Sequence, residues 1–127
     1  MLEELKVTAV LNPQQILELG SYQQGKDIVS ELIQIFLQDA PNLMDELERA
    51  VCSQDAKAIY QAAHSLKGNA ATLGLDQCTF IFKHIELLGR YEQLEMVDML
   101  VEQAKGCLGR GYARLEQLLS NTTLSKV

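Results

Sequence analysis

The chain has 127 residues, of which 47% are hydrophobic and 22% charged, and its formal net charge is −6. This length fits one domain, and the composition can bury a core, which excludes a disordered tail. The acidic balance argues against binding to nucleic acid or anionic lipid, and no stretch approaches the roughly 20 apolar residues of a membrane span. The N-terminus, MLEELKVTAV, has no apolar signal region, so a cytoplasmic protein is expected.

The first half of the chain shows helical hydrophobic spacing. Asn12 as a cap, followed by Pro13, predicts a short first helix that ends at Gly20. Residues 21–26 are expected to form a loop. The apolar repeat that follows predicts helix over about 27–52, either one kinked helix or two nearly collinear ones, because Pro41 interrupts it.

Three further helices are predicted in the second half. Ser53 or Asp55 is the expected cap of a helix over 56–73, which Gly74 ends. Asp76 is the expected cap of the next helix, with Gly89 as its stop. The last helix is expected over about 91–119. Three glycines in it each lower its stability by up to about 1 kcal/mol relative to alanine. They are Gly106, Gly109 and Gly111.

Four amphipathic helices with short corners favour an all-α fold, an antiparallel up-down four-helix bundle with the short N-terminal helix laid across one end or side. Residues 1–127 are interpreted as a single domain with its core at about 12–119. The three cysteines are widely spaced and lack a CxxC motif. We expect them to be small apolar core residues rather than disulfide partners or zinc ligands. They are Cys52, Cys78 and Cys107.

The segment around His64 carries the chemistry. On the helix predicted over 56–73, His64 lies about 200° from the core residue Leu66 and therefore points to solvent. Lys67 and Gly68, three and four residues further on, are its neighbours. A neutral imidazole is a nucleophile near pH 7, Lys67 supplies a counter-charge for phosphoryl oxygens, and Gly68 leaves space for a partner.

Each of these residues also has an ordinary explanation. His64 could be a plain surface histidine, Lys67 a solvated charge and Gly68 a close helix-packing contact. A di-iron type of metal bundle is disfavoured, since His64 faces outward and the chain contains no Glu-x-x-His. No metal site is expected.

The stretch Ala63-His64-Ser65-Leu66-Lys67-Gly68, followed by five residues and Gly74, resembles the signature of histidine phosphotransfer (HPt) domains. The likeness extends over about residues 12–119. It implies a phosphorelay intermediate, in which the histidine accepts a phosphoryl group from the phospho-aspartate of a receiver domain and passes it to another receiver aspartate.

The resemblance also implies roles for single residues. His64 would accept the phosphoryl group on Nε2, Lys67 would stabilise its oxygens, and Gly68 would give the receiver access. A polar residue on the following helix, Glu86 or Arg90, could orient the imidazole, although Glu86 could equally be an ordinary solvated or salt-bridged helix residue. Helix geometry, together with what the resemblance implies about docking in this family, predicts the rim of the surface that binds the receiver. Its residues are Tyr60, Gln61 and Ala71, with Ile16 and Leu17 of the first helix.

The expected partners are receiver domains of response regulators and a sensor histidine kinase, with no nucleic acid or membrane partner. The chain itself is expected to be a monomer, because its polar helix faces look solvated. It is expected to need no cofactor, because the divalent metal belongs to the receiver, and to have no autokinase activity, because nothing in it resembles a Walker loop or a kinase glycine loop. Two alternatives stay open. The chain could be an excised HPt module of a hybrid or chemotaxis-type sensor kinase, or an interaction bundle that is never phosphorylated.

Overall fold

The computed structural model describes the backbone of residues 26–125 and the side chains of residues 28–120. Within that part of the chain, four helices follow one another: α1 (Lys26–Cys52), α2 (Ala56–Thr72), α3 (Asp76–Arg90) and α4 (Val97–Ser125). The short helix predicted to end at Gly20 and residues 21–25 of the predicted loop lie outside the described residues. Lys26, which the prediction placed in that loop, is instead the first residue of α1.

The four helices form a ring-like bundle. Each packs on the next, α1 also packs on α4, and the most extensive interface joins α2 to α3. Short connections at 53–55, 73–75 and 91–96 turn the chain back each time, as expected for antiparallel neighbours. Apolar side chains at helical spacing fill the centre, and the largest fully buried ones include Phe82, Ile33, Leu47, Ile59 and Leu66. The all-α bundle predicted from the sequence is confirmed.

α1 is a single helix that contains Pro41, so the alternative of two separate helices is wrong. Pro41 is exposed, and its missing N–H falls on the solvent side, where water can satisfy the freed carbonyl. The side-chain amide of the next residue, Asn42, donates to the carbonyl of Gln38 at 3.4 Å. The helix therefore continues through the proline with its buried stripe in phase.

Both ends of α2 lie close to where the sequence predicts them. Asp55 is its N-cap, and the carboxylate oxygen accepts a hydrogen bond from the amide of Ala58 at 3.1 Å. At the other end, Gly74 has φ of 72°, a left-handed conformation that glycine adopts at little cost. These two residues fix where the helix that carries His64 begins and ends.

Three predicted boundaries need correction. The N-cap of α3 is Leu75, and Asp76 is instead the first helical residue, where its carboxylate faces the positive end of the helix dipole. The last helix begins at Val97 rather than near 91, because Glu92 takes a left-handed φ of 56° and 91–96 form a turn. It also continues to Ser125, despite its three glycines.

The cysteines divide into two groups. Cys78 and Cys107 are buried, as predicted, whereas Cys52 is exposed. Cys52 is the last residue of α1, where the helix has already passed the edge of the core. The prediction of a core cysteine was wrong at that position.

Gly89 is a packing residue and not a helix stop. It is buried inside α3, and a Cβ placed on it would come within 2.9 Å of the Tyr60 amide nitrogen and 3.0 Å of the Ala56 carbonyl oxygen. Both of these atoms belong to the backbone of α2. The absence of a side chain at this position therefore lets the backbones of α2 and α3 approach each other closely.

Gly89→Ala is expected to lower the free energy of unfolding by about 1–3 kcal/mol, because the new methyl group would have to push two backbones apart. The matched control is Gly109→Ala in α4, where a Cβ meets nothing within 4 Å. That change should instead stabilise by up to about 1 kcal/mol. Urea denaturation followed by circular dichroism measures both, and equal effects would contradict the close approach.

Candidate functional site

His64 stands on the outer face of α2. Ile59, Ala63 and Leu66 point into the core, and the His64 side chain, on the opposite side, is 60% exposed. The ring of Tyr60, one turn earlier, stacks on the imidazole with ring centres 5.9 Å apart and planes 13° from parallel. The outward orientation predicted from the helical wheel is what the structure shows.

Glu86 of α3 connects the imidazole to Lys67. Its Oε2 lies 3.1 Å from His64 Nδ1 and 2.9 Å from Lys67 Nζ, and Oε1 lies 3.1 Å from the same Nζ. The carboxylate is only 10% exposed, whereas the Lys67 side chain is 28% exposed. Glu86 is thus a buried acceptor shared by two residues of α2, so it is not a solvated residue but a salt-bridged one, as the ion pair with Lys67 shows.

The charge of this carboxylate is maintained by its partners. Burial raises the pKa of Glu86, but the hydrogen bonds from Lys67 and His64 outweigh that effect, so the pKa lies below its ordinary value of 4.5. Glu86 is therefore ionised at neutral pH. An ionised carboxylate can only accept hydrogen bonds.

This acceptor determines the tautomer of His64. Because Glu86 cannot donate, Nδ1 of His64 must carry the proton in the hydrogen bond between them. In the neutral ring the lone pair then resides on Nε2. The site therefore presents one defined nucleophilic nitrogen on an exposed ring.

Gly68 leaves the surface beside this ring open. A Cβ placed on Gly68 would meet nothing within 4 Å, so the glycine is not a helix-packing contact, unlike Gly89. The Gly68 carbonyl accepts a hydrogen bond from the hydroxyl of Thr72 at 3.0 Å, which stabilises the last turn of α2. Gly68 lies four residues from His64, on the same face.

The remaining predicted residues fall at different places. Gln61 and Ala71 are exposed on α2 near His64, and Tyr60 is half-buried against the ring. Arg90 is exposed in the last turn of α3, and in the described part of the chain the polar contact to the imidazole comes from Glu86 instead. Ile16 and Leu17 lie outside the described residues.

Residues 26–125 show no group of three or more His, Cys, Asp or Glu residues placed to hold a metal ion. In the same range, each helix is too short or too polar to cross a membrane.

Comparison with known proteins shows the family to which the chain belongs. The family model of the Hpt domain matches residues 31–122, and the chain therefore belongs to the Hpt domain family. It is 39% identical over 51 residues to the sensor protein TorS of Escherichia coli (strain K12), a match that covers 40% of this chain and 6% of that protein.

Two solved structures share the fold. Histidine-containing phosphotransfer protein B (HptB) from Pseudomonas aeruginosa PAO1 superimposes with a TM-score of 0.84 at 22% identity, over 88% of this chain and 96% of that one. Saccharomyces cerevisiae Ypd1, solved with the receiver domain of its response regulator Ssk1, gives a TM-score of 0.63 at 20% identity, over 94% of each chain.

Glu86→Gln is expected to lower the free energy of unfolding at neutral pH by about 1 kcal/mol, because its partners lose a charged acceptor but are partly solvated. The depressed pKa of Glu86 means that this contribution is present above about pH 4.5 and disappears as the pH falls through the folded-state pKa.

Urea denaturation of wild type and Glu86→Gln at a series of pH values measures this difference. Glu116→Gln, at an exposed position of α4, is the matched control and should leave stability nearly unchanged. A Glu86→Gln protein as stable as wild type at neutral pH would show that the buried carboxylate contributes nothing to the fold.

Proposed function

We propose that the chain is a phosphorelay intermediate in which His64 accepts a phosphoryl group from the phospho-aspartate of a receiver domain and passes it to another receiver aspartate. The observation that carries this proposal is the hydrogen bond from His64 Nδ1 to the buried Glu86 carboxylate, which leaves Nε2 as the free nucleophile on an exposed ring. Membership in the Hpt domain family supports the same reaction.

The transfer step needs little from this chain. The Nε2 lone pair attacks phosphorus, the bond from phosphorus to the aspartate oxygen breaks, and the receiver carboxylate leaves with the electron pair. Nδ1 keeps its proton throughout, so the phosphorylated ring carries a positive charge. The Glu86 carboxylate, 3.1 Å away, is already in place to balance that charge.

Lys67 is the cation that this proposal assigns to the phosphoryl group. Its ammonium group lies one turn from His64 and is held by Glu86 at 2.9 Å. A flexible four-carbon stem lets such a group move from the carboxylate towards phosphoryl oxygens when these arrive. We assign Lys67 to charge stabilisation and Glu86 to positioning, because Glu86 acts through the imidazole and the ammonium group.

The open surface at Gly68 is where a receiver would approach. Tyr60, Gln61 and Ala71 flank it, and Gln61 also lines a groove of about 410 Å³ between α1 and α2, together with Ser65. The yeast protein Ypd1 was co-crystallised with the receiver domain of its downstream response regulator. By analogy, we propose receiver domains as partners here, with a sensor histidine kinase further upstream.

The setting of the domain is part of the proposal. Residues 1–127 are assigned to one monomeric domain that lacks autokinase activity. The site would work in the same way in a free carrier or in a module of a sensor kinase such as TorS, of which the match spans 6%. Three free cysteines fit the reducing cytoplasm.

His64→Gln is expected to abolish phosphate uptake from a phosphorylated receiver, because the substituted side chain has no nucleophilic nitrogen. His84→Gln, which changes the other histidine, should keep wild-type uptake. The measurement is transfer of labelled phosphate to a base-stable, acid-labile product, with ATP alone expected to give none. If the His64→Gln variant still takes up phosphate, His64 is not the acceptor. The same conclusion follows if only the His84→Gln variant loses uptake.

Gly68→Gln is expected to slow transfer by about tenfold or more, because a long side chain would occupy the space beside the ring while the fold stays intact. Gly109→Gln is the matched control, since Gly109 is also a helical glycine whose Cβ would meet nothing within 4 Å. Stopped-flow or gel-based transfer rates compare the two. Equal rates for both variants would mean that access at Gly68 is irrelevant.

A further inference from the structure

In the described part of the chain, the imidazole of His64 contacts a carboxylate and an aromatic ring. Its Nδ1 lies 3.1 Å from Glu86 Oε2, and the ring of Tyr60 is almost parallel to it, with planes 13° apart and ring centres 5.9 Å apart. This offset arrangement is within the range over which aromatic side chains attract each other. The His64 side chain is otherwise largely exposed, so these two contacts restrain the orientation of its ring.

The hydrogen bond to Glu86 does not by itself set the plane of the imidazole. Rotation of a histidine ring about its Cβ–Cγ bond has a broad energy minimum. A hydrogen bond weakens steeply only when its angle falls below about 120°. The ring can therefore rock while Nδ1 stays bonded to the carboxylate. The parallel ring of Tyr60 restricts this rocking, because a tilt would bring the edges of the two rings into contact.

The plane of the ring matters for the proposed phosphoryl transfer, on which this inference rests. The Nε2 lone pair lies in that plane and forms the new bond to phosphorus. The bond from phosphorus to the aspartate oxygen breaks, and the receiver carboxylate leaves with its electron pair. The attacking and leaving atoms are roughly in line with phosphorus at the transition state. A tilted ring points its lone pair away from that line, and the transfer slows.

Tyr60 is itself held in place by the packing of α2 on α3. Its side chain is half-buried, and the preceding residue, Ile59, is completely buried in the core. Its backbone lies where the two helices approach each other closely, since a Cβ on Gly89 would come within 2.9 Å of the Tyr60 amide nitrogen. α3 therefore supports the imidazole twice, directly through Glu86 and indirectly through the backbone of Tyr60.

We propose that Tyr60 is a positioning residue for this phosphoryl transfer, which fixes the plane of the His64 imidazole and with it the direction of the Nε2 lone pair. The flat ring of Tyr60 performs this role, and its hydroxyl group is not required. The role differs from that of a residue that only helps to bind the receiver. Such a residue changes the receiver concentration needed for transfer, whereas a positioning residue changes the transfer rate after the receiver has bound.

The test is single-turnover transfer of labelled phosphate from a phosphorylated receiver domain, measured over a range of receiver concentrations. Tyr60→Leu should lower the maximal transfer rate roughly tenfold, with a much smaller change in the receiver concentration that gives half of that rate. Tyr60→Phe keeps the flat ring and should behave like wild type. Tyr91→Leu is the matched control, because Tyr91 is an exposed tyrosine at the end of α3, and both values should stay those of wild type.

NMR spectroscopy of the free protein tests the geometry without phosphate. Wild type and Tyr60→Phe should show nuclear Overhauser cross-peaks between the ring protons at position 60 and the carbon-bound ring protons of His64. In Tyr60→Leu the His64 ring protons should change their chemical shifts, because the ring current of the neighbouring side chain is lost. The circular dichroism spectrum of each variant should remain that of the folded helical protein.

Equal maximal rates in wild type and Tyr60→Leu overturn the proposal, and so does a Tyr60→Phe protein as slow as Tyr60→Leu. The absence of cross-peaks between Tyr60 and His64 in wild type has the same consequence. That measurement needs no substitution, so it decides even if Tyr60→Leu folds poorly. A wild-type protein that takes up no phosphate would refute the proposed function and the role of Tyr60 together, whereas uptake at equal rates would refute only the role of Tyr60.

Discussion

The site depends on a single carboxylate placed between two helices. Glu86 reaches from α3 to α2 and accepts hydrogen bonds from both His64 and Lys67 while it is almost shielded from solvent. A buried charge of this kind is tolerated only when it is paired, and here two partners share it. The same contact that satisfies the carboxylate sets the imidazole tautomer and holds the ammonium group nearby.

The contact is possible because α2 and α3 lie close together. Gly89 is one turn beyond Glu86, and its missing side chain allows the α3 backbone to approach the Tyr60 amide on α2. Tyr60 is in turn one turn before His64 and stacks on its ring. A buried glycine in one helix thus sets the distance over which a glutamate can reach a histidine in the other.

α3 links the two chemically distinct parts of the molecule. Its Glu86 end faces the exposed His64 surface, and its Cys78 end faces α4 at the Cys107 and Arg110 pair. In both places a largely buried acidic group lies beside a cation: the Glu86 carboxylate beside Lys67 at 2.9 Å, and the Cys107 thiol beside Arg110, whose Nη2 donates to the sulfur at 3.2 Å. The family assignment accounts for the first of these parts only.

Local sequence determined the helices, the outward direction of His64 and the neighbourhood of Lys67 and Gly68, because helical periodicity and capping act within a few residues. It misplaced the start of the last helix and the role of Gly89, since a glycine that ends a helix and one that packs inside it look alike in sequence. The choice of Glu86 over Arg90 depended on which faces of separate helices come together. That is decided by how side chains fill the whole core, and no local pattern contains it.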